Sequence, residues 1–370
     1  MVQSEKLKVK SESSCQREES QARMNYPECS RSSTEGQKYT TDEQSSDAEA
    51  NSSDAMALAI NSMDGKDTDA EANSSLFTFH FSLSKVAVLL TVFNRRETTL
   101  RCLEELFSQT KGLEDEFDVF LTNDGCTDGT PEAIRERFPQ VHIVEGDGNL
   151  FWNRGMIAAW EAAVKHGKYD FFLWLNDDTI LKEDAIARLM KYGKETKGES
   201  CIVGSCHAVG DPETLTYGGL ANRKWRLYPS DTELKACKSF NGNVVLIPYK
   251  IYETIGMNDA HYHHSGGDFD YGYTATRAGF TNYIAPGYYG IVNRHERIPK
   301  WTDPKLSLKQ RWKDFKSPVG ACPNEHFYFN MKNVNIFRAV RCYISCHIHV
   351  LLPFLWSEKR MKSIKVKSEK

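Results

Sequence analysis

Phe171-Phe172-Leu173-Trp174-Leu175-Asn176-Asp177-Asp178-Thr179 is the stretch from which the rest of the chain can be read. Five large apolar residues in succession are too few for a helix and too unbroken for a strand with one wet face. They predict a strand buried on both sides, as in a parallel sheet. The run stops on an amide and two carboxylates. In an open α/β sheet, ligands bind in the crevice beyond the carboxyl ends of the strands. Adjacent carboxylates repel unless a cation or a donor network holds them, and oxygen-only ligands suit magnesium or manganese. The competing reading is structural: Asp178 or Thr179 caps a helix through Ala185-Met190, with Glu183 and Asp184 in its first turn. A cap accounts for one of these residues and leaves the others unexplained.

Upstream, Val86-Ala87-Val88-Leu89-Leu90-Thr91-Val92 predicts a buried strand, followed by the polar loop Asn94-Arg95-Arg96-Glu97 and a helix with Leu100, Leu103, Leu106 and Phe107 on one face. Asp118-Thr122 predicts a second strand ending in Asn123-Asp124-Gly125. Gly125 and Gly129 supply the turn into a helix that starts at Thr130-Pro131-Glu132. Val141-Val144 is a short third strand, and Arg154 to His166 a helix after a Gly-rich turn. Strands alternating with helices of this length build a parallel sheet with right-handed crossovers. Thr91 to Arg95, Asp124 and Asn176 to Asp178 are therefore expected to line one pocket. Neither G-x-G-x-x-G nor G-K-[ST] follows the first strand, so a nucleotide bound here is gripped by carboxylates, a metal and backbone groups. For Asp124 an Asx-turn role competes with a ligand role.

Val88 to Arg95, then Thr122-Asn123-Asp124-Gly125-Cys126-Thr127-Asp128-Gly129-Thr130, then Leu175-Asn176-Asp177-Asp178 together resemble the nucleotide-sugar half of a family 2 glycosyltransferase with the GT-A fold. Gly148-Asn149-Leu150-Phe151-Trp152-Asn153-Arg154-Gly155-Met156 resembles the rhamnosyltransferase-like subgroup. The resemblance covers Lys85 to about His295 and, more weakly, the segment to Asn333. It implies a Rossmann-like, mostly parallel sheet with flanking helices. Asp124 matches the position that contacts the nucleotide base, and Thr91, Phe93, Asn94 and Arg95 the loop beside it. Asn149 and Trp152 fall on the subgroup's turn and helix, on the nucleotide-sugar side. Asn176-Asp177-Asp178 matches the DXD-like motif, with Asp178 as the metal ligand and Asp177 near the ribose or metal. Asn176 stands where many relatives carry Asp, which lowers the charge of the site.

Further along, Phe240-Asn241-Gly242-Asn243 leads into the strand Val244-Pro248, and a helix over Tyr249 to Ile255 stops at Gly256. His263-His264-Ser265-Gly266-Gly267-Asp268-Phe269-Asp270 is the second chemical stretch. A zinc reading of the His pair lacks a third ligand at helical spacing. Asp268 as a helix cap is the plain structural reading. The stretch resembles the family's E-D-x-D element, with Gly267 where Glu is common. That match implies Asp268 as the general base, and Asn243, His264, Gly267 and Asp270 on the acceptor side. His295 matches a late histidine of relatives that reaches the diphosphate or metal; an ordinary surface histidine competes with it.

The implied activity is inverting transfer of a sugar from a UDP- or dTDP-linked donor to an acceptor hydroxyl on a glycan, lipid-linked or other molecule, assisted by Mn2+ or Mg2+. A sugar-phosphate nucleotidyltransferase and an inactive nucleotide-sugar-binding module are the alternatives. The nucleotidyltransferase wants a Gly-rich basic loop after the first strand, which Phe93-Asn94-Arg95-Arg96 lacks.

Composition frames the rest. A chain of 370 residues with 40% hydrophobic content can bury a large core, and a net charge of -3 gives no hint of nucleic acid as a partner. Ten scattered cysteines without metal-ligand spacing are expected to be buried reduced thiols. Residues 1–84 are Ser-rich and acidic and predict disorder, with no signal-like apolar core after Met1. A catalytic domain is expected over 85–296 and an acceptor-side lid over 297–333. Residues 334–370 read as an apolar helix with a basic tail, which anchors peripherally on a cytosolic membrane face or packs on the domain. A cytoplasmic location is the corresponding expectation.

Overall fold

The computed structural model describes residues 83–222, 225–294 and 299–355. The N-terminal segment, the basic tail and His295 lie outside the described residues. In chain order the elements are β1 (Lys85–Val92), α1 (Arg96–Thr110), β2 (Glu116–Asn123), α2 (Thr130–Arg137), β3 (His142–Glu145), α3 (Phe151–His166), β4 (Phe171–Leu175), β5 (Ile180–Leu181) and α4 (Ala185–Glu195). There follow β6 (Ser200–Ala208), β7 (Asp211–Tyr217), β8 (Gly219–Leu220), β9 (Lys235–Cys237), β10 (Ser239–Phe240), β11 (Val244–Pro248), α5 (Tyr249–Ile255), α6 (Gly267–Arg277) and β12 (Thr281–Ile291). A 3-10 turn (Lys300–Thr302), α7 (Leu308–Lys316), α8 (Pro323–Asn333) and α9 (Ile336–Leu351) close the described chain.

The main sheet runs β3-β2-β1-β4-β11-β6-β12-β5, with β7 on β6 and β9 on β12. β3, β2, β1 and β4 are parallel neighbours, as the alternation of strands and helices requires. Beyond β4 the sheet becomes mixed, because β11 runs antiparallel to both β4 and β6. Residues of β1 alternate between two cores. Val86, Val88, Leu90 and Val92 pack under α1, α2 and α4, and Ala87 and Leu89 pack under α3, α5 and α6. Every residue of β4 is buried, which explains why its apolar run is continuous rather than alternating. Pro286 is accommodated in β12 at an irregularity between Ile284 and Tyr288, where a missing ladder N–H costs least.

The stretch read as a lid holds a helix fastened to the domain. Lys332 Nζ donates to Asp270 Oδ2 at 2.7 Å and to Asp259 Oδ2 at 2.9 Å, Asn333 Nδ2 donates to Asp270 Oδ1 at 2.7 Å, and the Tyr328 hydroxyl donates to Asp259 at 2.8 Å. Burial opposes ionisation of Asp259, but the donors from His261, Lys332 and Tyr328 win and hold its carboxyl below the usual range. Burial likewise opposes the charge of Lys332, and its two carboxylate partners raise it. A lowered carboxyl contributes stability that is present above the ordinary Asp range and is lost as pH falls through the folded value. Asp259→Asn is thus expected to cost about 1 kcal/mol at neutral pH, discounted for partial exposure, with the gap to wild type closing in acid. Urea melts at neutral and strongly acid pH check this.

The described cysteines are all free, and six of them are buried. Among the described residues no helix is long and apolar enough to cross a membrane. A third, smaller core gathers Trp301, Phe315, Ala321, Cys346 and Val350 between the 3-10 turn, α7 and α9.

Candidate active site

The parallel register places the carboxyl ends of β1, β2 and β4 along one edge, with Thr91 beside Thr122 and Leu89 beside Trp174. Each loop leaving that edge is tied to the next. Asn94, at φ 50°, accepts the Thr127 N–H on its Oδ1 at 2.7 Å. Asp128 takes the Arg96 N–H and both donors of Thr130, and these bonds outweigh partial burial and lower its carboxyl below the usual range. Thr91 is buried against Gly155, where a Cβ would come within 2.2 Å of its Oγ1. Phe93 is half-buried in the same loop.

Asp124 is only 4% exposed. Its Oδ1 accepts from the N–H groups of Gly148 and Leu150 and its Oδ2 from that of Phe151, at 3.0, 3.1 and 2.8 Å. The carboxylate expected to meet a nucleotide base thus accepts from the start of α3 across the strand edge, a structural role different from the Asx turn that competed with the ligand reading. It also holds the turn that lets α3 begin at Phe151, at φ 56°, rather than at Arg154. Asn149 closes a local turn on Asp147.

The acidic stretch after β4 is neutralised from within. Arg95 Nη1 lies 2.8 Å from Asp178 Oδ2 and Nη2 lies 3.2 Å from Asp177 Oδ1, and the Thr99 hydroxyl donates to Asp177 Oδ2 at 3.2 Å. The two carboxylate side chains are 3% and 8% exposed, and the guanidinium 32%. Cys102, fully buried nearby, has its thiol pushed well up, by burial first and then by the charge of Asp177 and Asp178. Asn176, the departure from an aspartate, accepts the Trp152 indole N–H on its Oδ1 at 2.8 Å. An amide oxygen does this without adding a third negative charge.

A short path joins this cluster to the second one. The Asn176 N–H donates to the Asn243 carbonyl at 2.9 Å, and the Gly242 N–H donates to Asp268 Oδ2 at 3.1 Å. Gly242 is required there, since a Cβ would come within 2.6 Å of the Trp152 ring. The Asn241-Gly242-Asn243 turn therefore places Asp268, at the start of α6, beside the end of β4. Asn243 is 3% exposed, and its buried Nδ2 has no hydrogen-bond partner among the described residues. Asp268 is half-buried and also accepts the Phe269 N–H at 2.8 Å.

Two expected acceptor-side residues have other duties. Asp270 is 2% exposed and holds Lys332 and Asn333 of α8. Gly267, which replaces a common Glu, faces Asn153, whose Oδ1 would lie 1.8 Å from a Cβ built there. Asn153 is itself fully buried and bonded to Asn258 and to the carbonyls of Asp259 and Tyr262. Gly267→Ala is expected to cost roughly 1–3 kcal/mol through overpacking, read as a lower denaturation midpoint. Wild-type stability in that variant would refute the packing.

His264 stands with its ring 6.3 Å from that of Phe151, and His263 at 6.5 Å. Nothing local pairs His263 with a partner 62 residues away. Its ring Nδ1 meets Glu325 Oε1 in a short contact and its N–H meets Oε2 at 3.3 Å, so α8 contributes a buried carboxylate to this rim. Arg226, also unanticipated, has its guanidinium lowered to about 10, by burial first and then by Arg294. No signal in the local sequence marks either pair.

Among the described residues no three His, Cys, Asp or Glu side chains gather as a metal cage. Two carboxylates do fit a hard cation that brings its remaining oxygen ligands on a bound phosphate, provided Arg95 yields its place.

The sequence profile of glycosyl transferase family 2 matches residues 87–253, from β1 through most of α5. This stretch, somewhat under half of the chain, is similar to that family. Its sheet and flanking helices are the GT-A arrangement that the motifs implied. The poly(ribitol-phosphate) beta-glucosyltransferase of Bacillus spizizenii is 23% identical over 175 residues, covering 46% of this chain and 24% of that protein. The poly-beta-1,6-N-acetyl-D-glucosamine synthase of Staphylococcus epidermidis is 27% identical over 148 residues, covering 38% of this chain and 34% of that protein. The chain thus spans about a third or less of the length of these relatives. Among solved structures, the mannosyltransferase PcManGT from Pyrobaculum calidifontis in complex with GDP-Man and Mn2+ matches 72% of this chain and 76% of that one, at 17% identity and a TM-score of 0.40. The matched stretch carries both acidic clusters' scaffolds except α6, which follows it.

Proposed function

We propose that this chain transfers a sugar from a nucleoside diphosphate donor to an acceptor hydroxyl, with inversion, using Asp268 as general base. The observation that carries the reading is the hydrogen-bonded path Asp268–Gly242–Asn243–Asn176, which sets a carboxylate beside the acidic strand end at a spacing of a few residues. The acceptor hydroxyl must lose its proton as it attacks the anomeric carbon, and a carboxylate in reach can take it. Asn243 Nδ2, buried and unpartnered among the described residues, is a ready donor for a substrate oxygen at the same junction.

The leaving diphosphate gains negative charge. Arg95 is the cation already at the acidic pair, and Arg226 and Arg294 are further positive groups in the domain. Asp177 and Asp178 would hold a divalent ion, Mn2+ or Mg2+, which when bound supplies Lewis-acid stabilisation of that charge. In this reading Asp177 and Asp178 serve the leaving group and Asp268 the nucleophile. UDP- and dTDP-linked sugars are the donors to try first. The rhamnosyltransferase-like assignment rests on the turn at 148–156 alone, and the acceptor class includes glycans and lipid-linked sugars.

A binding module without turnover is the second reading, since Asn176 and Gly267 depart from the common pattern. Both departures have structural partners, Trp152 and Asn153, so neither needs loss of function to explain it. A thermal-shift screen of nucleoside diphosphate sugars with manganese, followed by assay of nucleoside diphosphate release, tests the proposal. A donor that binds only the folded state at 100 times its Kd raises stability by about 2.7 kcal/mol. Stabilisation without release favours the module, and no stabilisation by any donor overturns both readings.

A further inference from the structure

Helix α9 is apolar on two faces, and among the described residues only one of them is packed on other elements. Ala339, Cys342, Cys346 and Val350 are buried, and the Val350 carbonyl accepts from the buried Arg311 Nε at 3.1 Å. That inner face fixes the helix on the 3-10 turn and α7, so it cannot roll to hide the other side. The outer stripe Ile336, Val340, Ile344, Ile348 and Leu352 repeats every fourth residue and is solvent-exposed, with Phe337 beside it at 84% exposure. A continuous apolar ridge of this length on a folded surface marks an interaction site.

Charge decides which partner fits. No Asp or Glu occurs between Val334 and Ser357, while Arg338 and Arg341 lie on the helix and Arg341 borders the stripe. Beyond it the sequence carries Lys359, Arg360, Lys362, Lys365, Lys367 and Lys370 against Glu358 and Glu369. A symmetric pair of copies packed through this stripe would bring like charges together, with no acidic group on the helix to offset them. At 16 residues α9 is about 24 Å long, too short to cross a hydrocarbon core of about 30 Å but suited to lie in its interface.

We infer that the outer face of α9 docks this chain on an anionic lipid surface, with the apolar stripe entering the headgroup boundary and the basic residues after it meeting acidic headgroups. This goes beyond the transfer reaction and does not depend on it.

The test is co-sedimentation of the full chain with phosphatidylcholine vesicles, with and without phosphatidylserine, alongside light scattering of the chain alone. The full chain is expected to bind the phosphatidylserine vesicles, less so as salt rises. Phe337→Glu with Ile344→Glu is expected to lower the bound fraction roughly tenfold or more at an unchanged melting curve. Phe337→Ser alone provides a milder variant should the double one unfold, and Lys359→Glu with Lys362→Glu tests the charge arm. Failure to bind vesicles, or wild-type binding by the stripe variants, overturns the inference. A concentration-dependent dimer abolished by those variants also overturns it, in favour of a second copy of the chain.

Discussion

Asp268→Asn is expected to lower transfer turnover by about 10²–10⁴-fold while leaving donor affinity close to wild type. The carboxylate sits at the first turn of α6, half-buried, with one oxygen on the Gly242 N–H and the other on the Phe269 N–H. Those two bonds fix its direction. Asparagine keeps the shape but cannot take up a proton, and its amide group must turn N–H toward one of the two backbone donors. A stability loss of about 1–3 kcal/mol is therefore expected as well, and a melting curve measures it separately. Turnover, nucleotide titration and melting together separate loss of the base from loss of the fold. Equal turnover in a folded variant refutes the role of Asp268, and loss of nucleotide binding in proportion to turnover would make it a positioning residue instead.

What could be read from the chain follows from how local each signal is. The unbroken apolar run at Phe171-Leu175 betrayed a strand buried on both faces, and the alternation before it gave the parallel half of the sheet. The same logic was blind to direction at β11: Val244-Val245-Leu246-Ile247 would look identical in a parallel strand, and only its pairing with β4 and β6 makes it antiparallel. The α3 start was missed because a phenylalanine in the left-handed region breaks local preference, and it is held there by Asp124 from another strand. Asp124 and Asp270 show how much of an acidic residue's surroundings is remote in sequence. Each reads as a ligand in its motif, and each is occupied by donors 24 or more residues away. The partner of His263 is equally remote, so a sequence pattern could name the histidine without naming Glu325. The acidic end of β4 was legible; the arginine across it was legible only as part of a loop.

That arginine supports the second large prediction. Asp177 and Asp178 are adjacent carboxylates, nearly buried, and the guanidinium of Arg95 reaches both of them. Removing it leaves two like charges in a poorly solvated place, with the Thr99 hydroxyl as partial compensation. Breaking a buried pair from one side costs roughly 3–5 kcal/mol, and the exposed third of Arg95 brings that to about 2–3 kcal/mol. Arg95→Ala is therefore expected to melt roughly 5–10 °C below wild type in the absence of divalent ions. Manganese or magnesium is then expected to restore much of the loss, because the freed oxygens are the hard ligands such ions prefer. Wild type should shift far less with the ion alone, since ion and guanidinium compete for the same two carboxylates. If manganese stabilises both proteins equally, or neither, the carboxylates are not a cation site and Arg95 is a structural counterion alone. Lys at position 95 sharpens the comparison: Arg95→Lys keeps one charge but loses the fork that spans both carboxylates, so its melting temperature should fall between the two.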